Sequence, residues 1–567
     1  MKDFTKIYSN LKQNEKIKFL FIFVFMFLII LLELFSLALF LPLITVIFSE
    51  SNLGHLEDIS FITNLNRIDK ISFFLSLIVL AFLIKNLFYA YLIYYRKKFL
   101  ADIQIDFTAR IFKSYLSQSY SYYLNKDKSE IIRNLGIVSE YIIILENFAS
   151  IVLESFILIG IFGIILFQDY QVGFFILIFS LSFLFFSTKI LKKRFLKYGK
   201  IVNEFTEKLI RLYLDTLGSI RDILLQKKQS FFLNQFNNNI SKQAYTNVKN
   251  SFFMEIPRLF IELFIVISIS LIIFFLFSQS QETEKILITL TFIVTLIFRA
   301  IPAISRIVFQ LNGLSFKIDI MNKVNSLIDS LSKGETVKSK IIKFEFKKLN
   351  LTNISFGYSD KSADLIFKNL NLEIKKNEII GIKGSSGSGK STLIDILSGM
   401  LSVKNGKITI NEKNMSADII DSWQAKIAYI SQKNYLTNTS IKSNIAFGEP
   451  EEKINNLKLK NAISYAKLNS LVNSRNEGLD FIIGEDGKNI SGGQRQRIIL
   501  ARALYRDAEL IIFDEATSAL DNNVEKEIFD DVEKNFKNNK TIIISTHKHE
   551  LLNFCDKIID IDAIKNL

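Results

Sequence analysis

The first 310 positions are organised as six long apolar runs, at about 19–48, 71–95, 141–168, 172–191, 258–277 and 286–308. Each reaches the roughly 20 residues that an α-helix needs to cross a hydrocarbon core. The first is too long for a secretory leader core and is followed by no small-residue cleavage site, so it is expected to stay as a span. Polar stretches separate the runs. After residue 308 the pattern changes: a Lys-rich helical connector leads to about 342, and from there short apolar runs alternate with turns and amphipathic segments, as in an α/β domain. The pattern predicts a membrane domain over 1–320, a linker over 321–345 and an α/β domain over 346–567.

The basic residues orient the spans. Segment 96–140 carries Arg96, Lys97, Lys98, Arg110 and Lys113, and segment 189–257 carries Lys189, Lys192, Lys193, Arg194, Lys197, Lys200 and Arg211. The opposite loops hold few: Arg67 and Lys70 in 49–70, none in 169–171, Lys285 in 278–285. Positive charge collects on the cytoplasmic side, which places both termini there. The two basic connections read as helical extensions of the spans that turn back near Ser121–Asp127 and Leu217–Gln226. Such turns are expected to present short helices to the α/β domain. Segment 49–70 reads either as an amphipathic helix on the outer surface, through Ile59, Phe61, Ile62, Leu65 and Ile68, or as a plain loop.

Composition agrees with a membrane protein. The chain has 567 residues, 49% of them hydrophobic, and a formal net charge of +14; its mean hydropathy is +0.26. That charge lies between apolar runs rather than on one basic face, so nucleic acid is not expected as a partner. The single cysteine, Cys555, excludes a disulfide framework and a multi-cysteine metal site. Four prolines in the whole chain leave long helices unbroken.

Ionisable residues inside spans are costly and mark a pathway or a polar pair. Here they are Glu33, Lys85, Glu146, Glu154, Arg258, Glu262 and Arg299. Arg258 and Glu262 have the i,i+4 spacing of an intrahelical ion pair. If Lys85, Arg258 and Arg299 instead face one cavity, they form a cationic lining suited to a phosphate or pyrophosphate.

Residues Gly384-Ser385-Ser386-Gly387-Ser388-Gly389-Lys390-Ser391 follow the apolar strand Ile379–Lys383 and fit the phosphate-binding loop G-x-x-x-x-G-K-[ST]. The glycines let backbone N–H groups approach phosphates, Lys390 reaches the β- and γ-phosphates, and the hydroxyl of Ser391 suits Mg²⁺; Thr392 follows it into the helix. About a hundred residues on stands Ile490-Ser491-Gly492-Gly493-Gln494. The buried strand Leu510–Phe513 then delivers Asp514 to the metal and Glu515 to an attacking water.

These three motifs in this order resemble the ATP-binding cassette (ABC) domain over roughly 346–562, with Ile490 where the family usually has Leu. The resemblance implies ATP and Mg²⁺ as cofactors and further roles: Tyr358 stacking on adenine, Gln432 sensing Mg²⁺ and water, Asp521 in a loop at a dimer interface, and His547 as a switch on the γ-phosphate. Ser491, Gly492, Gly493 and Gln494 would close on the nucleotide of a second copy, so the partner implied is a homodimer. Six spans followed by one cassette resemble an exporter half-transporter: a helical six-span domain of the type I/IV ABC exporter fold followed by an α/β P-loop domain, acting as an ATP hydrolase coupled to transport.

Within exporters the chain resembles the bacterial lipid-linked oligosaccharide flippases (the PglK-like family), through Lys85-Asn86, Ile256-Pro257-Arg258-Leu259 and Phe298-Arg299-Ala300-Ile301-Pro302. Lys85 stands where that family is expected to have Arg, which keeps the charge but loses the fork geometry. The resemblance implies a polyprenyl-pyrophosphate-linked glycan as cargo and the bacterial inner membrane as location. Exporters of phospholipid, lipid A or drugs share every ATPase residue, and an ATP-gated channel is the reading from another class.

Overall fold

The computed structural model describes residues 12–48, 66–278, 283–333, 342–358, 365–431, 435–516 and 521–565. Two compact units make up the chain: Met1–Gln118 with Lys126–Glu335, and Ser119–Asn125 with Thr336–Leu567.

The first unit is helical. Its described elements are α1 (Gln13–Ala38), α2 (Phe40–Phe48), α3 (Arg67–Leu116), α5 (Lys128–Gln168), α6 (Tyr170–Gly218), α7 (Ile220–Leu225), α8 (Gln229–Ser278) and α9 (Thr283–Lys333); α4 (Tyr120–Leu124), between α3 and α5, groups with the second unit. Among the described residues, six helical stretches are long and apolar enough to cross a membrane. The apolar runs mark only the middle of each helix. α3 has 50 residues and α9 has 51, so each extends for about 75 Å, more than twice the roughly 30 Å of hydrocarbon.

Local chemistry explains the breaks. Pro42 has no N–H to offer the carbonyl of Ala38, and α1 gives way to α2 between them, at Leu39. α5 and α6 are separated by Asp169 alone, whose carboxylate accepts from the N–H groups of Gln171 and Val172 at 3.0 and 3.1 Å and caps α6. The turns expected near Ser121–Asp127 and Leu217–Gln226 contain the short helices α4 and α7. Within the unit α9 packs along α5 and α6. A Cβ at Gly199 of α6 would lie 1.9 Å from the carbonyl oxygen of Phe316 of α9, so these two backbones touch directly. Apolar residues such as Val79, Leu83 and Leu87 stay exposed along α3, as expected of a lipid-facing stripe. Most of segment 49–70 and part of the linker (334–341) lie outside the described residues.

The second unit is built on two sheets. Strands β1 (Lys348–Phe356), β2 (Phe367–Lys375), β4 (Asn405–Ile410) and β5 (Lys413–Asn414) pair antiparallel in the order β2-β1-β4-β5. Strands β3 (Ile379–Lys383), β6 (Ile427–Ile430), β7 (Leu510–Asp514), β8 (Thr541–Ser545) and β9 (Lys557–Asp560) pair parallel in the order β6-β7-β8-β3-β9. β7 and β8 are buried along their whole length, which is why they read as unbroken apolar runs rather than alternating ones. One apolar core, with Trp423, Phe346 and Leu393, fills the space between the sheets. Another, with Phe513, Phe529 and Ile498, covers the parallel sheet's other side.

Candidate functional site

Strand order assembles the nucleotide site. β3, β8 and β7 are neighbours, all parallel, so their carboxyl ends lie side by side. Ligands of such sheets bind beyond those ends. The phosphate loop leaves β3, His547 follows β8 and Glu515 follows β7. His547 therefore stands between the other two. Its Nε2 lies 2.9 Å from Lys390 Nζ and 3.0 Å from Glu515 Oε1. One ring nitrogen either accepts from the lysine or donates to the glutamate, so the histidine has two alternative partners.

The loop itself is a cradle. Gly387 and Gly389 have φ of +80° and +103°, a region closed to most side chains. Lys390 opens helix α10 (Lys390–Leu397) and is buried. Its Nζ donates to the carbonyls of Gly384 and Ser385 at 3.0 and 3.1 Å, with Glu515 Oε1 at 3.8 Å. Ser388 Oγ is buried and has no hydrogen-bond partner among the described residues. An orphaned hydroxyl, glycine-enabled backbone and an ammonium at a helix start fit a polyphosphate. Glu515 adopts φ +50°, rare for a residue with a side chain, and its N–H is held by the carbonyl of Ser545 at 3.0 Å. Asp514 is buried and accepts from the Tyr429 hydroxyl at 3.0 Å.

Tyr358 is exposed, with its hydroxyl 3.2 Å from Thr392 Oγ1 and its ring set edge-to-face with Phe356 at 5.4 Å between centroids. Ser491 caps helix α11 (Gly492–Tyr505): its Oγ accepts from the N–H of Gln494 at 3.2 Å, and Gln494 Oε1 accepts from the N–H of Ser491 at 3.0 Å. That box fixes the exposed N-terminus carrying Gly492 and Gly493. Asp521 precedes the helix that starts at Asn522. Gln432 and residues 518–520 lie outside the described residues.

Sequence reasoning passed over two acids here. Asp562 holds the start of the loop, accepting from Ser385 N at 2.7 Å and Ser385 Oγ at 3.0 Å; no local pattern ties residue 562 to 385. Asp395 sits on α10 near Asp514. Burial, with the Asp514 carboxylate adding to it, pushes the Asp395 carboxyl up to about 6.

A second polar site lies among the spans of the first unit. Glu33 of α1 takes Lys85 of α3 at 3.1 Å on Oε2 and Arg299 of α9 on Oε1. Glu154 of α5 takes Arg306 of α9 through two contacts, 2.6 and 3.1 Å, with Arg299 Nη1 at 3.9 Å. Lys85 also lies 4.3 Å over the Phe82 ring. Five charged groups thus form one ladder across four helices. The two carboxylates are nearly sealed, 5% and 4% exposed, while Arg299 is 24% exposed. Two of the three expected cations, Lys85 and Arg299, come together; Arg258 does not join them. It is 74% exposed and pairs with Glu262 at 3.4 Å, the i,i+4 partner that spacing suggested. Arg306 was missed, although its place two helical turns after Arg299 puts it on the same face.

Comparison with known proteins agrees with both units. Residues 367–518 match the family model described as ABC transporter. Over 82% of its length the chain is 27% identical to the ATP-dependent lipid A-core flippase of Shewanella denitrificans, covering 77% of that protein. It is 40% identical to the Leukotoxin translocation ATP-binding protein LktB of Mannheimia glucosida, over 36% of this chain and 29% of that one. Among solved structures, a bacterial Atm1-family ABC exporter with ATP bound superposes with a TM-score of 0.81 at 18% identity, covering 95% of this chain and 94% of that one. At that identity the likeness establishes the fold.

Proposed function

We propose that this ABC exporter half-transporter, an ATP hydrolase coupled to transport across a membrane, moves a lipid whose headgroup carries phosphate, with polyprenyl-pyrophosphate-linked oligosaccharide as the cargo. The observation that carries this reading is the meeting of Lys85 and Arg299 on one carboxylate inside the spans, although 214 positions separate them (299 − 85). Cations are placed there at a cost, and a phosphate repays it through charge-assisted bonds. Arg258, on a separate exposed face, would meet the headgroup at another stage of its path.

Two copies of the chain would sandwich two nucleotides, each between one copy's phosphate loop and the other's Ser491–Gln494. Mg²⁺, when bound, neutralises the phosphates, with Ser391, Asp514 and Gln432 the residues to hold it. Glu515 orients and polarises the attacking water, and His547 moves from Glu515 to the terminal phosphate. The protein would lie in a bacterial inner membrane with both termini in the cytoplasm, where ATP is available.

A second reading is favoured by the flippase relatives: lipid A-core as cargo, which is also a phosphate-bearing glycolipid. The leukotoxin relatives align over only 36% of this chain and 29% of their own length, too little to bear on cargo. Reconstituted wild type should show ATP hydrolysis stimulated by polyprenyl-pyrophosphate oligosaccharide more than by lipid A or by zwitterionic phospholipid. The variant Lys85→Ala/Arg258→Ala/Arg299→Ala should lose that stimulation and the accompanying translocation. Unchanged translocation by the triple variant rejects the cationic site.

A further inference from the structure

We infer that Glu33 is a built-in competitor for the cargo's phosphate: it holds Lys85 and Arg299 between cargo molecules, yields them to the arriving phosphate, and recaptures them so that the lipid is released. This rests on the reading of Lys85 and Arg299 as phosphate ligands given above.

The geometry is that of a substitute anion. The two oxygens of Glu33 are divided between the two cations, one each, as two oxygens of a bridging phosphate would be. The carboxylate is almost sealed from solvent, so it is committed to these partners. Glu154 has a different commitment. It grips Arg306 through both oxygens and stands 3.9 Å from Arg299, so it anchors the ladder while Glu33 is the partner to be exchanged. Across the ladder three bases face two acids, which leaves an excess of one positive charge to draw an anion in.

The energetics explain why a transporter gains from such a residue. Without an anion between them, two adjacent cations among the spans would destabilise the cargo-free protein. With a multivalent phosphate and no competitor, the same cations in a medium of low dielectric would hold the cargo too firmly to let it go. A permeation site must bind well enough to admit and weakly enough to release. Glu33 turns binding into an exchange of one anion for another, so the cargo gains only the difference between them. A zwitterionic phospholipid, with a single phosphate charge offset by its own amine, would displace Glu33 poorly.

The test uses the full-length protein in proteoliposomes, with ATP hydrolysis titrated against polyprenyl-pyrophosphate oligosaccharide and, separately, lipid A. For Glu33→Gln the half-stimulating lipid concentration should fall about tenfold, the loss of a competitor worth ~1.4 kcal/mol. Its maximal stimulated rate should fall as well, because release slows. Glu33→Asp, which withdraws the carboxylate by one methylene, should move both in the same direction by a smaller factor, and it decides the matter if the Gln variant does not assemble. A lowered maximal rate with an unchanged or raised half-stimulating concentration makes Glu33 a structural staple and overturns the inference alone. If wild type is stimulated by neither lipid, the phosphate-lipid reading falls, and the inference with it.

Discussion

The two charged sites of this molecule are built in opposite ways. Around Lys390 the cation is held by backbone carbonyls of its own loop, with Glu515 and His547 delivered by adjacent strands. Every member follows the end of a strand in one sheet, so the site is an outcome of topology. Around Arg299 the cation is held by side chains from other helices, and no backbone motif sets their positions. The first site shapes an anion seat from glycine-enabled backbone and the Ser388 hydroxyl, which has no partner among the described residues. The second has its seat filled by Glu33. A site that performs one reaction on one cofactor benefits from being pre-shaped; a site that must capture and discharge a bulky cargo benefits from carrying its own replacement.

Perturbing each site sharpens this contrast. The largest effect is expected from Glu515→Gln, which keeps shape and removes the charge that polarises water: turnover should fall by about 10²- to 10⁴-fold while ATP still binds, measured by steady-state hydrolysis alongside nucleotide binding. Next comes Glu154→Gln, which strips both guanidinium groups of a sealed partner. Arg306 is 45% exposed, so the loss should be less than the about 3–5 kcal/mol of breaking a fully buried pair, and the unfolding transition of the membrane unit should drop, with nucleotide affinity unchanged. If stability survives, Glu154 does not anchor the ladder.

A smaller effect depends on pH. The folded Asp395 carboxyl, at about 6 against an ordinary 3.8, binds its proton more tightly than in the unfolded chain. The folded state therefore loses stability as pH rises from about 4 to 6 and stays at the lower level above. Asp395→Asn should raise the melting temperature at pH 7 and leave it near wild type at pH 4. A gain of equal size at both pH values would assign the effect to packing. The smallest change is expected from Glu262→Ala. Its pair with Arg258 is exposed and lies within one helix, so stability should move by a few tenths of a kcal/mol at most.

Legibility in the sequence followed the same division. Phosphate loop, the Ile490–Gln494 motif and the Asp514-Glu515 pair are contiguous residues whose chemistry needs fixed spacing, so they could be read directly, as could the six spans. What was hidden depends on folding distance. Asp562 meets Ser385 across 177 positions, and Glu33 meets Arg299 across 266. A charge inside a span advertises that it needs a partner, but hydropathy has no information on which one. Lys85, Arg258 and Arg299 were grouped because all are cations; two of them meet on Glu33, while Arg258 pairs with Glu262 elsewhere. The apolar runs also understated the helices, because water-exposed continuations of a helix lose the apolar signal without losing the helix.

The uninterrupted length of α3 has a mechanical meaning. Arg67–Leu116 contains no proline and no glycine, so nothing in its sequence invites a local bend. With roughly 30 Å of it in hydrocarbon, about 45 Å is left over as a stiff rod. Tilting such a rod by a mere 5° sweeps its far tip through about 4 Å, about three-quarters of a helical turn. A displacement too slight to strain any single side chain is thereby magnified at the helix's far end.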